Sequence, residues 1–357
     1  MITVVIPTVG RATLRATLAA VGPGVPVIVV DDRRAGAPAV AAPAWDVRVV
    51  RSGGRGPAAA RNAGWRAART PWVVFLDDDV VPAPGWAEAV LKDLADLPDD
   101  VAGSQGRIVV PRPAGRRPTD GERHTAGLEG ASWVTADMAY RRAVLDSLGG
   151  FDERFPRAYR EDSDFSLRVA RAGHRLVKGA RVTAHPVRDD GFWASVRFQR
   201  GNADDALMRR LHGPGWRAAI GEACGRLRVH AATTAAGLAA LVLTVAAALA
   251  REHTGGHPAR TLSGRLARWP GRRPGERLRA GGARADGGQA GGGRRVLLGV
   301  AGLTGVAWAA LTAEFAWRRV APGPRTPGEV LRMVVTSVVI PPVACLHRLR
   351  GEWRVRR

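Results

Sequence analysis

The chain opens as short apolar runs separated by segments with helical spacing. "ITVVIPT" (Ile2–Thr8), "VPVIVVDD" (Val25–Asp32), "WDVRVVRS" (Trp45–Ser52) and "PWVVFLDDD" (Pro71–Asp79) predict strands. "RATLRATLAAV" (Arg11–Val21) and "GPAAARNAGWRAAR" (Gly56–Arg69) predict helices between them. Strands apolar on both faces that alternate with helices argue for an α/β fold with a mainly parallel sheet flanked by helices. After residue 100 the pattern loosens. A polar Pro/Gly loop (Pro111–Gly127) precedes a strand-like piece, a short helix (Arg141–Leu148) stopped by Gly149–Gly150, and a helix (Asp164–Ala172) capped by Gly173.

From about residue 226 the character changes. Ala231–Ala250 carries no charge and lies between Arg228 and Arg251. A Gly/Arg-rich stretch, 251–295, reads as low-complexity linker. Val296–Trp317 is a second apolar run, and Val330–Leu346 a third, with "IPP" at Ile340–Pro342 predicting a break. The expected organisation is an α/β unit over 1–225 and C-terminal apolar helices over 226–357. Ala231–Ala250 is long enough for a transmembrane helix.

The formal net charge of +22 changes the picture little, because most of the excess sits in the tail. It lies in the Gly/Arg linker and beside apolar runs, not on a basic face with interleaved aromatics. Nucleic acid is therefore not an expected partner. The two cysteines, Cys224 and Cys345, lie far apart and give no disulfide framework or CxxC metal site. The N-terminus lacks the basic and apolar regions of a signal peptide and reads as a first strand.

Two predicted strands end in acids: Asp31–Asp32 and Asp77–Asp79. Ligands of open parallel sheets bind beyond the carboxyl ends of the strands. Adjacent carboxylates repel and are costly to desolvate, and a hard divalent cation is one remedy. A cation held there with a diphosphate stabilises that diphosphate as a leaving group. The other reading of "DDD" is a solvated acidic turn.

Five pieces in order extend this reading: "VVIPTVGR", "VIVVDD", "GPAAARNAGWRAA", "FLDDDV" and "LGGFDERFPRAYREDSDFSLRVARAG". Together they resemble family 2 glycosyltransferases of the GT-A (Rossmann-like) fold, over roughly residues 1–215. The resemblance implies a mixed, mainly parallel sheet with flanking helices. It also implies an inverting, metal-dependent, hexosyltransferase-like enzyme that moves a sugar from a nucleotide-sugar donor to an acceptor hydroxyl. On that resemblance Pro7 lies on the donor side, Asp31 or Asp32 binds the base, and Arg61 sits near the nucleotide. Asp77 and Asp79 are the ends of the DXD motif. Asp79 ligates Mn²⁺ or Mg²⁺, and Asp77 ligates it or contacts the ribose. Asp78 is grouped with the nucleotide contacts or turned toward the protein.

His185, in "VTAHPVR", is a third metal ligand or a surface histidine after a strand. Of the pair Glu161–Asp162, Asp162 is the expected general base. Gly149–Asp152 reads as a tight turn that aims this pair. Asp137 is a candidate contact to the donor sugar or acceptor, and Arg197 and Arg200 candidate contacts to the diphosphate. A helix at a membrane face is the alternative for the segment around those arginines. The apolar tail implies membrane lipid as a partner and a glycan or lipid-linked acceptor, with the catalytic domain on the cytoplasmic side of the cell membrane and a role in cell-envelope glycan or glycolipid synthesis. A non-catalytic membrane scaffold and a nucleotidyltransferase are the rival readings. The latter's usual Gly-rich phosphate loop is not evident in "IPTVGRATL".

Overall fold

A computed structural model describes residues 1–38, 40, 45–255 and 287–356. The elements, in chain order, are β1 (Ile2–Thr8), α1 (Leu14–Val21), β2 (Val27–Asp31), β3 (Val47–Arg51), α2 (Pro57–Ala67), β4 (Trp72–Leu76), β5 (Val81–Pro82), α3 (Trp86–Leu94) and β6 (Val101–Val109). There follow α4 (Asp120–Ala126), β7 (Asp137–Arg141), α5 (Arg142–Ser147), α6 (Glu161–Arg171), β8 (Arg175–Ala184), α7 (Ala194–Arg197), α8 (Gly201–His212) and α9 (Trp216–Ala219). The tail forms α10 (Leu227–Gly255), α11 (Gly287–Val320) and α12 (Pro327–Arg356).

The strands form one sheet in the order β3-β2-β1-β4-β7-β6-β8-β5. The first four run parallel, whereas β7 is antiparallel to both β4 and β6. Strand alternation divides the core between the two faces of the sheet. Val4 and Ile6 pack with Leu14, Leu18 and Trp86 on one face. Val5 packs with Ile28, Phe75, Tyr140 and Phe151 on the other. The helix α2 lies close to the sheet because Gly64 faces β1. A Cβ there would sit 2.2 Å from Val5 Cγ1. The parallel register pairs Thr8 with Asp31, so β1, β2 and β4 bring their carboxyl ends to one edge.

The described chain divides into two compact units, Met1–His230 with Phe315–Arg357, and Ala231–Glu314. In the first, α12 packs along α8 and against α7. In the second, α10 and α11 meet where Gly237 faces Trp308, with room for no Cβ. Among the described residues, three helices are long and apolar enough to cross a membrane by length and composition: Leu227–Ala250, Gly292–Val320 and Pro327–Arg356. The predicted break at Ile340–Pro342 is absent. The helix runs through Pro341 and Pro342, with Ile340 and Pro341 buried. Packing along the first unit offsets the hydrogen bonds those prolines remove. Part of the predicted linker is helical, up to Gly255 and from Gly287, and 256–286 lies outside the described residues.

Asp137 corrects an expectation. It opens β7 completely buried, and its two oxygens are taken inside the protein. Oδ1 accepts from Arg181 Nε at 2.7 Å, and Oδ2 from Trp86 Nε1 at 2.7 Å and Thr183 Oγ1 at 2.6 Å. Arg181, itself buried, also donates to Asp93 and to the carbonyl of Ser104. A carboxylate so committed joins β7 to β8 and α3 and leaves no face for a sugar. Asp137→Ala takes from the buried Arg181 one of its two carboxylates, leaving Asp93, and is expected to cost about 3 kcal/mol. Chemical denaturation checks this, and an unchanged midpoint would remove Asp137 from the core.

Candidate active site

A cleft of about 560 Å³ opens at the carboxyl edge of β1, β2 and β4. Its lining includes Pro7, Asp32, Arg61, Asp77, Asp78, Asp79 and His185. Asp31, Glu161, Asp162, Arg197 and Arg200 do not line it.

The three aspartates after β4 have three different settings. Asp78 is buried at the cleft wall and is held by protein partners. It accepts from Thr8 Oγ1 and Arg11 Nη1, each at 2.5 Å. Asp77 is the most open, with its side chain 30% exposed, and accepts from Arg61 Nη2 at 3.0 Å. Asp79 is nearly buried, 3.0 Å from Arg188 Nη1 and 3.9 Å from His185 Nε2. Burial and the neighbouring Asp77 raise its pKa against the pull of Arg188 and His185. Asp77, Asp79 and His185 each offer a ligand atom within 4.8 Å of the others. Two carboxylates and an imidazole form a donor set that could hold Mn²⁺ or Mg²⁺.

At the second acidic strand end, Asp31 is buried under a bidentate contact from Arg33, at 2.8 and 2.9 Å, which holds its pKa down. Asp32 reaches the cleft. Its carboxylate accepts from Ser52 Oγ at 2.6 Å and from the backbone N–H groups of Arg55 and Gly56. It thereby fixes the loop that starts α2. Gly56 has φ +99 in that loop and faces the carbonyl of Pro156, where a side chain would be both strained and crowded.

The helix α2 supplies the connection between the acids. Arg61 is 2% exposed and spans from Asp77 to Glu161, donating Nη1 to Glu161 Oε1 at 2.6 Å. The next residue, Asn62, binds both the N–H and the carbonyl of Phe151. Gly149 and Gly150 both have positive φ and close a turn onto the end of α5. Together they set the chain that leads to Glu161–Asp162.

Those two residues begin α6. Burial raises the pKa of both, and Arg61 opposes the rise. Asp162 accepts from the N–H of Ser163 at 2.7 Å, and its residue stays partly exposed. Arg160, just before them, has φ +78 and is 6% exposed. It is gripped by Asp205 and Glu222 and stacks on Tyr159 and Trp216.

Arg197 and Arg200 are exposed, and Arg197 is turned to the carbonyl of Asp190. The cleft wall near them is built instead from Phe198, stacked on His124 at 4.5 Å. Burial lowers the His124 pKa. Sequence reasoning also missed Arg11 and Arg188, the cations paired with Asp78 and Asp79. Each lies close in sequence to a flagged residue, Pro7 and His185, and that proximity was the available signal.

Comparison with known proteins bears on this segment. Residues 3–160 match the family described as glycosyl transferase family 2. The chain is 35% identical over 169 residues to the pre-mycofactocin glycosyltransferases of Mycobacterium tuberculosis strains CDC 1551 and H37Rv. The match covers 43% of this chain and 36% of each of those proteins, so the chain spans about a third of the length of these curated relatives. Among solved structures, the mannosyltransferase PcManGT from Pyrobaculum calidifontis, in complex with GDP-Man and Mn²⁺, is 16% identical. That match covers 99% of this chain and 87% of that one, with a TM-score of 0.47. TarS of S. aureus is 16% identical, covering 60% of this chain and 41% of that one, with a TM-score of 0.38. The acidic cleft lies mainly within residues 3–160, the segment that is similar to glycosyl transferase family 2.

Proposed function

We propose that the chain is an inverting, metal-dependent glycosyltransferase that takes its sugar from a nucleotide-sugar donor. The observation that carries this reading is the convergence of Asp77, Asp79 and His185 in one cleft, with Arg61 tying Asp77 to the Glu161–Asp162 pair. The donor's base lies toward Pro7 and Asp32, and its diphosphate toward Asp77 and Asp79. Asp78 holds Thr8 and Arg11 and acts on the donor only through the shape of the loop. Asp77, Asp79 and His185 would hold a divalent cation, Mn²⁺ or Mg²⁺, which when bound would neutralise charge on the departing diphosphate.

Asp162 is the proposed general base. Its carboxylate takes the proton of the acceptor hydroxyl as that oxygen bonds to the anomeric carbon. The bond from that carbon to the diphosphate breaks, and its electron pair leaves with the nucleoside diphosphate. A single displacement inverts the anomeric configuration. Glu161 stays against Arg61 and positions the base. The apolar helices tie the enzyme to the cell membrane, with the cleft on the cytoplasmic side where nucleotide sugars reside. A membrane-borne glycan or lipid acceptor of the cell envelope suits that location.

A donor screen that follows nucleoside-diphosphate release tests the reading. Release is expected with Mn²⁺ or Mg²⁺ and is lost with chelator. Asp79→Ala and Asp162→Ala are each expected to lower turnover at least ~100-fold, the scale of a lost acid–base group, with folding kept. Full activity of either variant refutes its assigned role. The pH profile gives a second check. A base whose pKa is raised by burial stays protonated to a higher pH, so activity appears only as pH rises through that raised value. The acid limb of kcat/KM is expected above the ordinary aspartate value of about 3.9. A limb at or below that value contradicts Asp162 as the buried base.

A further inference from the structure

By length and composition α12 qualifies as a membrane span, but its packing points elsewhere. The helix has two unlike faces. Met333, Thr336, Ile340, Ala344 and Gly351 are buried. On the opposite side Leu331, Val334, Val338, Leu346 and Leu349 are exposed, between 41% and 67%. Their spacing of three, four, eight and three residues keeps them in one stripe, because helical neighbours recur every three or four positions. The exposed Pro342 lies on the same stripe. None of these six positions carries a charge.

The buried face is held to the α/β body at both ends. Near the start, Glu329 accepts from the N–H of Asp120 at 2.8 Å, and Arg332 donates to the carbonyl of Gly191 at 2.8 Å. Near the end, Gly351 lies so close to α8 that a Cβ would meet the Ala203 carbonyl at 2.5 Å. At a rise of 1.5 Å per residue such a helix is about 45 Å long, against a hydrocarbon core of about 30 Å. If α12 crossed that core, the charged surface fixed along it, with Asp120 and Asp204, would enter hydrocarbon. Even for ion-paired groups the desolvation cost is several kcal/mol per ion.

We infer that α12 lies flat in the membrane interface, its outer stripe of Leu331, Val334, Val338, Leu346 and Leu349 in the lipid and its inner face on the α/β body. Two further observations name lipid as the occupant. Phe192 and Trp193 are exposed beside the point where Arg332 binds, as an aromatic pair at a membrane–water boundary is. Arg350 and Arg356 are exposed near the other end and suit anionic headgroups. The segment after Trp193 carries Phe198, which lines the cleft, so this placement brings the cleft to the membrane surface. It accounts for a membrane-borne acceptor without an additional acceptor-carrying domain.

The inference rests on the membrane association proposed above but not on the transfer reaction. The test uses the full chain with C224S and C345S, reconstituted in vesicles of phosphatidylcholine and phosphatidylglycerol. A nitroxide is attached in turn through L331C, V338C and L349C, and circular dichroism checks folding. Collision rates with oxygen and with a water-soluble nickel chelate report depth. The expected result is a similar, shallow, oxygen-favoured ratio at all three sites. A ratio that peaks at V338C and falls at both ends means a spanning helix and overturns the inference. Spin–spin broadening with free access to nickel means that a second copy or water covers the stripe, and also overturns it. Failure of the chain to enter vesicles sinks the membrane association itself, whereas loss of donor turnover with normal depth readings sinks only the transfer reaction.

Discussion

The site depends on one buried guanidinium. Arg61 stands between two acidic groups that would otherwise repel across the end of the sheet, and it is almost wholly screened from water. A cation so placed interacts far more strongly than it would at the surface, and its removal would leave the buried Glu161 unpaired. It is also rigid and planar, with both ends of the fork in use, which a lysine cannot reproduce. The close approach of α2 to the sheet at Gly64 brings Arg61 to this position. Local packing and charge placement are therefore one feature.

The parallel half of the sheet was legible because its strands are apolar on both faces. β1, β2, β3 and β4 all lie inside the predicted runs. Their acidic ends followed from strand direction alone. The separation of the three aspartates was only half legible. Composition makes Asp77, Asp78 and Asp79 equivalent, and their partners come from separate parts of the chain, Arg61 for Asp77, Arg11 for Asp78 and Arg188 for Asp79. Asp78 is set apart from its neighbours by Thr8 and Arg11, which occupy its two oxygens.

Other features left no local signature. Asp137 lies in a strand whose pattern could suit a cleft wall, and only the arrival of Arg181 from β8 makes it a core residue. Asn62 reads as an ordinary helix residue until Phe151 folds onto it. The Pro341–Pro342 pair reads as a stop. The helix survives because its inner face is supported by another helix, and intrinsic propensity cannot register that support. In each case the deciding contact spans a long stretch of sequence.

Arg160 has a consequence for any attempt to make the protein more heat-tolerant. Its backbone occupies the left-handed region, which glycine adopts without strain and arginine does not. Glycine at this position would relieve that backbone strain. Yet its side chain is the clamp that joins α8 and the Glu222 segment to the first turn of α6. A gain in backbone comfort would loosen the carboxylates beside it. Backbone strain and side-chain pairing pull in opposite directions at this residue, and a substitution that relieves the first gives up the second.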